Sequence, residues 1–154
     1  LITRERLDDL ARARCLLEGE LTTLALPRLG EADFAALRAL TLDGEAAFAG
    51  TAADRAQVTS ELNHAFHFRI YAAAGSAVLI AVVESLWLQS GPYVRVAARI
   101  HEQDGHRLGV HHHWSLIEAL ERRDPAGAVA ALTADIRNSF DLIRTRLATE
   151  AIHG

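Results

Sequence analysis

The chain has 154 residues, enough for one domain with a substantial apolar core. Its formal net charge is −4 with histidine neutral, so it has no basic surplus to hold a phosphate backbone, and nucleic-acid binding by this segment alone is not expected. Half of the residues are apolar, with three prolines and ten glycines, a mix that favours helices because alanine and leucine dominate it. A single cysteine, Cys15, excludes an intramolecular disulfide and fits a reducing compartment.

Helical periodicity runs nearly end to end. The start, Leu1 to Arg6, is charged and lacks the apolar stretch of a secretory signal. A first helix is expected over Arg4–Leu24, ending before Pro27. Gly30 opens a second over Glu31–Ala49, closed by Gly50. Thr51 or Asp54 caps a third that runs to Ala74, where Gly75 ends it. Ser76 caps a fourth from Ala77 to about Gln89. Gly91-Pro92 is expected to break or kink the chain, since proline lacks an N–H and crowds the preceding turn. Helix resumes over Tyr93–Ile100. His101 to Leu108 is polar, with a turn at Asp104-Gly105. A fifth helix covers Gly109–Arg123. Asp124-Pro125, an N-cap followed by proline at the first helical position, starts a sixth that reaches Thr149. The longest apolar run, Ala77 to Leu88, carries Glu84 and is too short to span a bilayer, so no membrane partner is expected and the localisation is read as cytoplasmic. The fold expected is a single all-α bundle of six to seven helices. The chain begins with leucine and contains no methionine, which reads as a piece of a longer protein with a segment missing upstream.

Several polar side chains fall on apolar faces. In the first helix Leu7, Leu10, Leu17 and Leu21 form a stripe whose missing step is Arg14. Arg14 either reaches solvent or pairs with Glu18 one turn on, or it points into a cavity and binds a carboxylate, to which its planar fork is suited. On the third helix Asn63 and His67 lie one turn apart beside the arc Leu62, Phe66, Ile70 and Ala73, while His64 lies on the opposite, polar side. Of the three consecutive histidines, His113 sits within the stripe of Val110, Leu116, Ile117 and Leu120, whereas His111 and His112 fall outside it and are expected to face solvent. On the sixth helix Asp135 lies among Ala128, Ala131, Leu132, Ser139 and Leu142. An unpartnered buried polar group costs about 1–3 kcal/mol, so each needs a partner. A metal ion would serve Asn63, His67, His113 and Asp135 together. Two imidazoles, a carboxylate and an amide oxygen suit Zn²⁺, Ni²⁺ or another divalent transition metal, with positions left for water or a small ligand. The alternative is that Asp135 pairs with Arg14 or another arginine and that the histidines merely line a pocket.

The segment running from His113-Trp-Ser-Leu-Ile-Glu-Ala-Leu to Asp124-Pro-Ala-Gly-Ala, the segment Leu62-Asn-His-Ala-Phe-His67 followed by Ala72-Ala-Ala-Gly-Ser76, and Arg14-Cys-Leu-Leu-Glu18 come in an order and spacing that resembles the FCD domain. This is the C-terminal effector-binding domain of FadR-type regulators in the GntR family, and the resemblance covers nearly the whole chain. It implies an antiparallel helical bundle around a central pocket that holds a divalent metal in many members, with a small carboxylate-bearing metabolite at or beside it. The family's metal ligands match Asn63, His67 and His113. The last position falls at Asp135, where histidine is usual, and this departure puts the metal's identity in doubt. The family's effector-binding arginine matches Arg14. The resemblance further implies a homodimer, dimerisation being expected through the fourth helix or its neighbours, and a winged helix-turn-helix upstream that would carry DNA binding. A metal-dependent enzyme is the rival from another class, since two histidines and a carboxylate with open positions serve Fe(II) chemistry. Against it, the sequence offers no H-E-x-x-H and no obvious general base beside the cluster, so no catalytic residue is assigned.

Overall fold

Each stretch of 3.6-residue periodicity becomes a helix whose apolar side closes on its neighbours. The computed structural model describes the backbone of residues 3–104 and 110–153, and the side chains of 3–93 and 112–148. Six α-helices follow in order: α1 Arg4–Ala25, α2 Glu31–Ala49, α3 Arg55–Ala72, α4 Ala77–Asp104, α5 Val110–Glu121 and α6 Pro125–His153. A 3₁₀ turn, Leu26–Arg28, joins α1 to α2. There is no strand among the described residues. The architecture is the expected all-α antiparallel bundle.

Local chemistry sets the helix ends. The Thr3 hydroxyl accepts from the Arg6 amide at 3.2 Å and caps α1. Asp33 in the first turn of α2 accepts from the Gly30 amide at 3.0 Å, a reciprocal cap that, more than its ion pair with Arg69, lowers its carboxyl from the ordinary value. Ser76 accepts from the Leu79 amide at 3.3 Å, and Asp124 from the Gly127 amide at 3.0 Å, both as expected. Asp54 takes the N-cap position of α3, but its side chain makes no cap bond there. Gly75 leaves α3 at φ +72°, in the left-handed region that glycine enters without strain.

The expected interruption at Gly91-Pro92 does not divide the chain. The two segments read as separate helices are one, α4, with Pro92 inside it. Proline removes a single N–H from the ladder, and the bonds of neighbouring turns suffice to carry the helix past it. The Asp104-Gly105 turn expected from the sequence lies at the edge of the described residues, and 105–109 fall outside them.

The core sits where α6 packs along α1, α5 and α4, and where α2 packs on α3 and α5. Leu7, Leu10 and Leu21 of α1, Leu116, Ile117 and Leu120 of α5, and Ala128, Leu132, Ile136, Phe140 and Ile143 of α6 are buried together. Each large side chain so buried contributes about 1.5–3 kcal/mol of transfer free energy. Arg123, at φ 57°, donates through its guanidinium to the Leu26 and Leu29 carbonyls and ties the α5–α6 corner to the 3₁₀ turn. No helix among the described residues is long and apolar enough to cross a membrane.

Candidate metal centre

The site is assembled from one side chain on each of three helices. Helix α3 carries His67, α5 carries His113 and α6 carries Asp135. The His67 Nε2 lies 2.8 Å from Asp135 Oδ2, and the His113 Nε2 lies 3.2 Å from that same oxygen. One ligand atom from each of the three lies within 4.8 Å of the other two. His67 is 1% exposed, and the His113 and Asp135 side chains 12% and 17%, so this is a nearly enclosed group of polar atoms between apolar helix faces.

The electrostatics of the group point to a cation. Burial on its own would raise the Asp135 carboxyl. Hydrogen bonds and charge from His113 and His67 outweigh that and hold it far below the ordinary carboxylate range. Each such hydrogen bond requires a proton between imidazole and carboxylate. A divalent ion places its charge where those protons sit, and two imidazole nitrogens with one carboxylate oxygen are a donor set that Zn²⁺ and Ni²⁺ accept. The residues present therefore fit a metal ion.

Aromatic packing aims the two imidazoles. The Phe66 ring stacks on His113 at 3.9 Å between centroids and 2° from parallel. His67 meets His113 edge to face at 5.2 Å and lies 5.5 Å from the Trp87 ring of α4. On its far side the His67 Nδ1 is 3.3 Å from the Tyr71 hydroxyl.

Tyr71 leads to a second polar centre, of which the sequence reading offered only the Arg14–Glu18 pair, as an alternative, and missed the parts of Tyr71 and Trp87. Glu18 of α1 is fully buried. Its carboxylate accepts from Arg14 Nε at 2.7 Å, from the Tyr71 hydroxyl at 2.7 Å and from the Trp87 indole N–H at 2.9 Å. Burial first, and then the Glu18 charge, push the Tyr71 hydroxyl well above its usual range, so it keeps its proton. Two signals in the sequence were available. Glu18 falls one turn after Arg14, and Tyr71 one turn after His67, so each pair shares a helix face.

The other expected site residues can now be placed. Asn63 is half-buried on α3, one turn before His67. Arg14 does not reach solvent: it is 4% exposed, paired with Glu18, and its guanidinium sits 4.3 Å over the Trp87 ring. Thus Arg14 is buried, as the cavity reading requires, yet already holds an internal carboxylate. Asp135 pairs with the histidines and not with Arg14. The His111 side chain lies outside the described ones, and His112 is half-buried rather than solvent-facing. His64 is exposed, as expected, with its ring stacked on Phe68 at 4.1 Å and edge-on to Trp87 at 5.2 Å. The partial desolvation that comes with this packing is the main reason its imidazole is lowered from the ordinary value.

Residues 9–138 match the FCD domain family. Among solved structures, the bundle superimposes on Escherichia coli McbR/YncC with a TM-score of 0.79 at 22% identity, covering 95% of this chain and 71% of that one. It also superimposes on a GntR-family transcriptional regulator from Pseudomonas syringae pv. tomato str. DC3000, again at 0.79 and at 23% identity, covering 99% of this chain and 61% of that one. No curated protein matches this chain in sequence.

Proposed function

The chain belongs to the FCD domain family, and from that membership we propose that it is the effector-sensing domain of a GntR-type transcriptional regulator, binding a small organic acid at or beside a divalent metal ion. The observation that carries the metal half is the convergence of His67, His113 and Asp135, from three different helices, on one point. These three would hold the ion, with Asn63 as a fourth ligand. Bound there, the ion would supply a Lewis-acidic position for an effector carboxylate or hydroxyl.

Arg14 is proposed as the second anchor of the effector. A guanidinium has five N–H donors, and the Glu18 pair engages two nitrogens. A carboxylate that reaches Arg14 therefore shares it with Glu18 or displaces Glu18 from it. Either event disturbs a contact between α1, α3 and α4, because Glu18 also binds Tyr71 and Trp87. A signal follows only if the effector binds one arrangement of the bundle better than another. The full-length protein would carry DNA binding on an upstream domain and act as a dimer.

Thermal unfolding with added ZnCl₂ or NiCl₂ tests the metal half. An ion at about 1,000 times its Kd adds about 4 kcal/mol, which for this chain length is a rise of about 8–16 °C in Tm. His67→Ala and His113→Ala should abolish that rise, and His64→Ala should retain it. If the wild type shows no rise and holds no stoichiometric metal, the metal-free reading stands, in which the two imidazoles simply hydrogen-bond Asp135. A thermal-shift screen of small mono-, di- and tricarboxylates, repeated on Arg14→Ala, tests the effector half. Turnover of a stabilising acid would instead favour an enzyme.

A further inference from the structure

A guanidinium has two edges that can each grip a pair of oxygens: Nε with one Nη, and the two Nη together. Glu18 holds the first edge of Arg14, where Nε donates to Oε2 at 2.7 Å and Nη2 to Oε1 at 3.4 Å. Trp87 covers one face, with Arg14 Cζ 4.3 Å from the ring centroid. The second edge is bare. Among the described residues Nη1 donates to nothing. It is not sealed in either, since the one fully buried side-chain nitrogen or oxygen without a partner among those residues is Arg144 Nε. Arg14 is a buried side chain, and it turns an unused fork toward space that the described residues leave open.

What that fork can hold depends on Glu18. Its carboxylate is fully buried and also accepts from the Tyr71 hydroxyl at 2.7 Å and the Trp87 indole N–H at 2.9 Å. Displacing it would strand a buried charge, a larger cost than one new hydrogen-bonded contact offsets. With Glu18 in place, the positive charge of Arg14 is already matched. A second carboxylate at the bare edge must give up its water and face the Glu18 charge across one guanidinium, where solvent screens neither. A neutral oxygen acceptor, such as an amide carbonyl, a ketone or a hydroxyl, takes the same N–H bonds without that repulsion and at a smaller desolvation cost. We infer that Glu18 is a specificity-determining residue of the proposed effector site: by neutralising Arg14, it selects an acid with one carboxylate and, at the Arg14 end, a neutral oxygen acceptor, over a dicarboxylate. The single carboxylate is then the group left for the proposed ion. The Trp87 ring, 4.3 Å from Arg14 Cζ and 5.5 Å from the His67 ring, brings the two ends within reach of one small molecule. This inference rests on the proposed effector reading and narrows it, and the selection at Arg14 does not depend on the ion.

The test compares diacids with their half-amides, which match in size and differ by one charge: malonate with malonamate, succinate with succinamate, glutarate with glutaramate. Each is titrated by calorimetry into the protein at neutral pH, with and without ZnCl₂. The best-bound half-amide should bind the wild type about tenfold or more tightly than its diacid, because like charges brought together in a binding site oppose association strongly. On its addition the Arg14 guanidinium signals in ¹H–¹⁵N spectra should shift. Glu18→Gln removes the charge and keeps the shape, so in the folded variant the preference should shrink to parity or reverse. A wild type that binds a diacid as tightly as its half-amide, or more tightly, would overturn the inference and leave the effector reading standing. Arg14 signals that stay in place with the half-amide bound would do the same, and neither result needs a variant to fold. A folded Glu18→Gln that keeps the full preference would also overturn it, since the selection would then come from another group. If no acid of either kind binds, the effector reading itself falls and this inference with it.

Discussion

Replacing Glu18 by leucine should be among the most damaging single changes in the chain, and adding Arg14→Leu should cost much less than the sum of the two single changes. In the native fold both side chains are buried, at 5% and 0% exposure, so solvent does little to screen them. Glu18→Leu leaves the Arg14 guanidinium without its carboxylate and removes the acceptor of two neutral donors, Tyr71 O–H and Trp87 N–H. Breaking a buried pair by removing one partner costs about 3–5 kcal/mol. At about 2–4 °C per kcal/mol for a chain of this size, that lowers Tm by about 6–20 °C. Arg14→Leu alone should cost a similar amount, because it strands the carboxylate, so simple addition gives about 6–10 kcal/mol for the double variant. The double variant strands no charge. Only the two neutral donors lose their acceptor, at about 1–3 kcal/mol each, for a total of about 2–6 kcal/mol. Urea unfolding of the four proteins, analysed by linear extrapolation, measures the cycle. A double variant destabilised by the sum of the singles, within about 0.5 kcal/mol, would refute a buried, mutually dependent pair.

Other expectations follow from the same geometry. The chain has no lysine, so above pH 9 its titration rests largely on tyrosine and cysteine. Because the folded-state value of Tyr71 is raised, its contribution to stability is intact below the unfolded value of 10.0 and is lost as pH climbs toward the folded one. In a Cys15→Ser background, which removes a second thiol-based slope, stability should fall by up to about 1.4 kcal/mol per pH unit above pH 10, and Tyr71→Phe should flatten that slope. An equally steep slope in Tyr71→Phe, measured by urea unfolding at pH 9–11, would show that another group is responsible. Gly75→Ala should destabilise by about 1–2 kcal/mol, because its φ of +72° forces a β-carbon against backbone and into the Arg28 guanidinium; an unchanged Tm would show that α3 ends differently in solution. Asp135→Asn should weaken zinc binding more than Tyr71→Phe does, since it alters a ligand instead of a ligand's partner; competition titration ranks the two.

How much of this was legible beforehand depends on the range of each interaction. The helix starts at Thr3, Ser76 and Asp124, and the stop at Gly75, rest on bonds between residues three or four apart or on one backbone angle, and a linear chain displays such spacings. The inward faces of His67, His113 and Asp135 were equally visible, because helical periodicity alone orients a side chain toward the core. The break expected at Gly91-Pro92 failed for the complementary reason: local propensity named a weak point, and the surrounding helix carried through it.

The sequence by itself determined an all-α bundle of six to seven amphipathic helices and which polar side chains must face inward, since both follow from 3.6-residue spacing and the cost of burying a polar group. Only the tertiary structure decided who partners whom. Asp135 could have met Arg14, and instead receives His67 and His113; Arg14 could have reached solvent, and instead is held under Trp87 by Glu18. Those pairings span 68 residues from His67 to Asp135 and 69 from Glu18 to Trp87. Contacts of that range are set by how the faces of α1, α3, α4, α5 and α6 dock against one another, and no periodicity within a single helix encodes them.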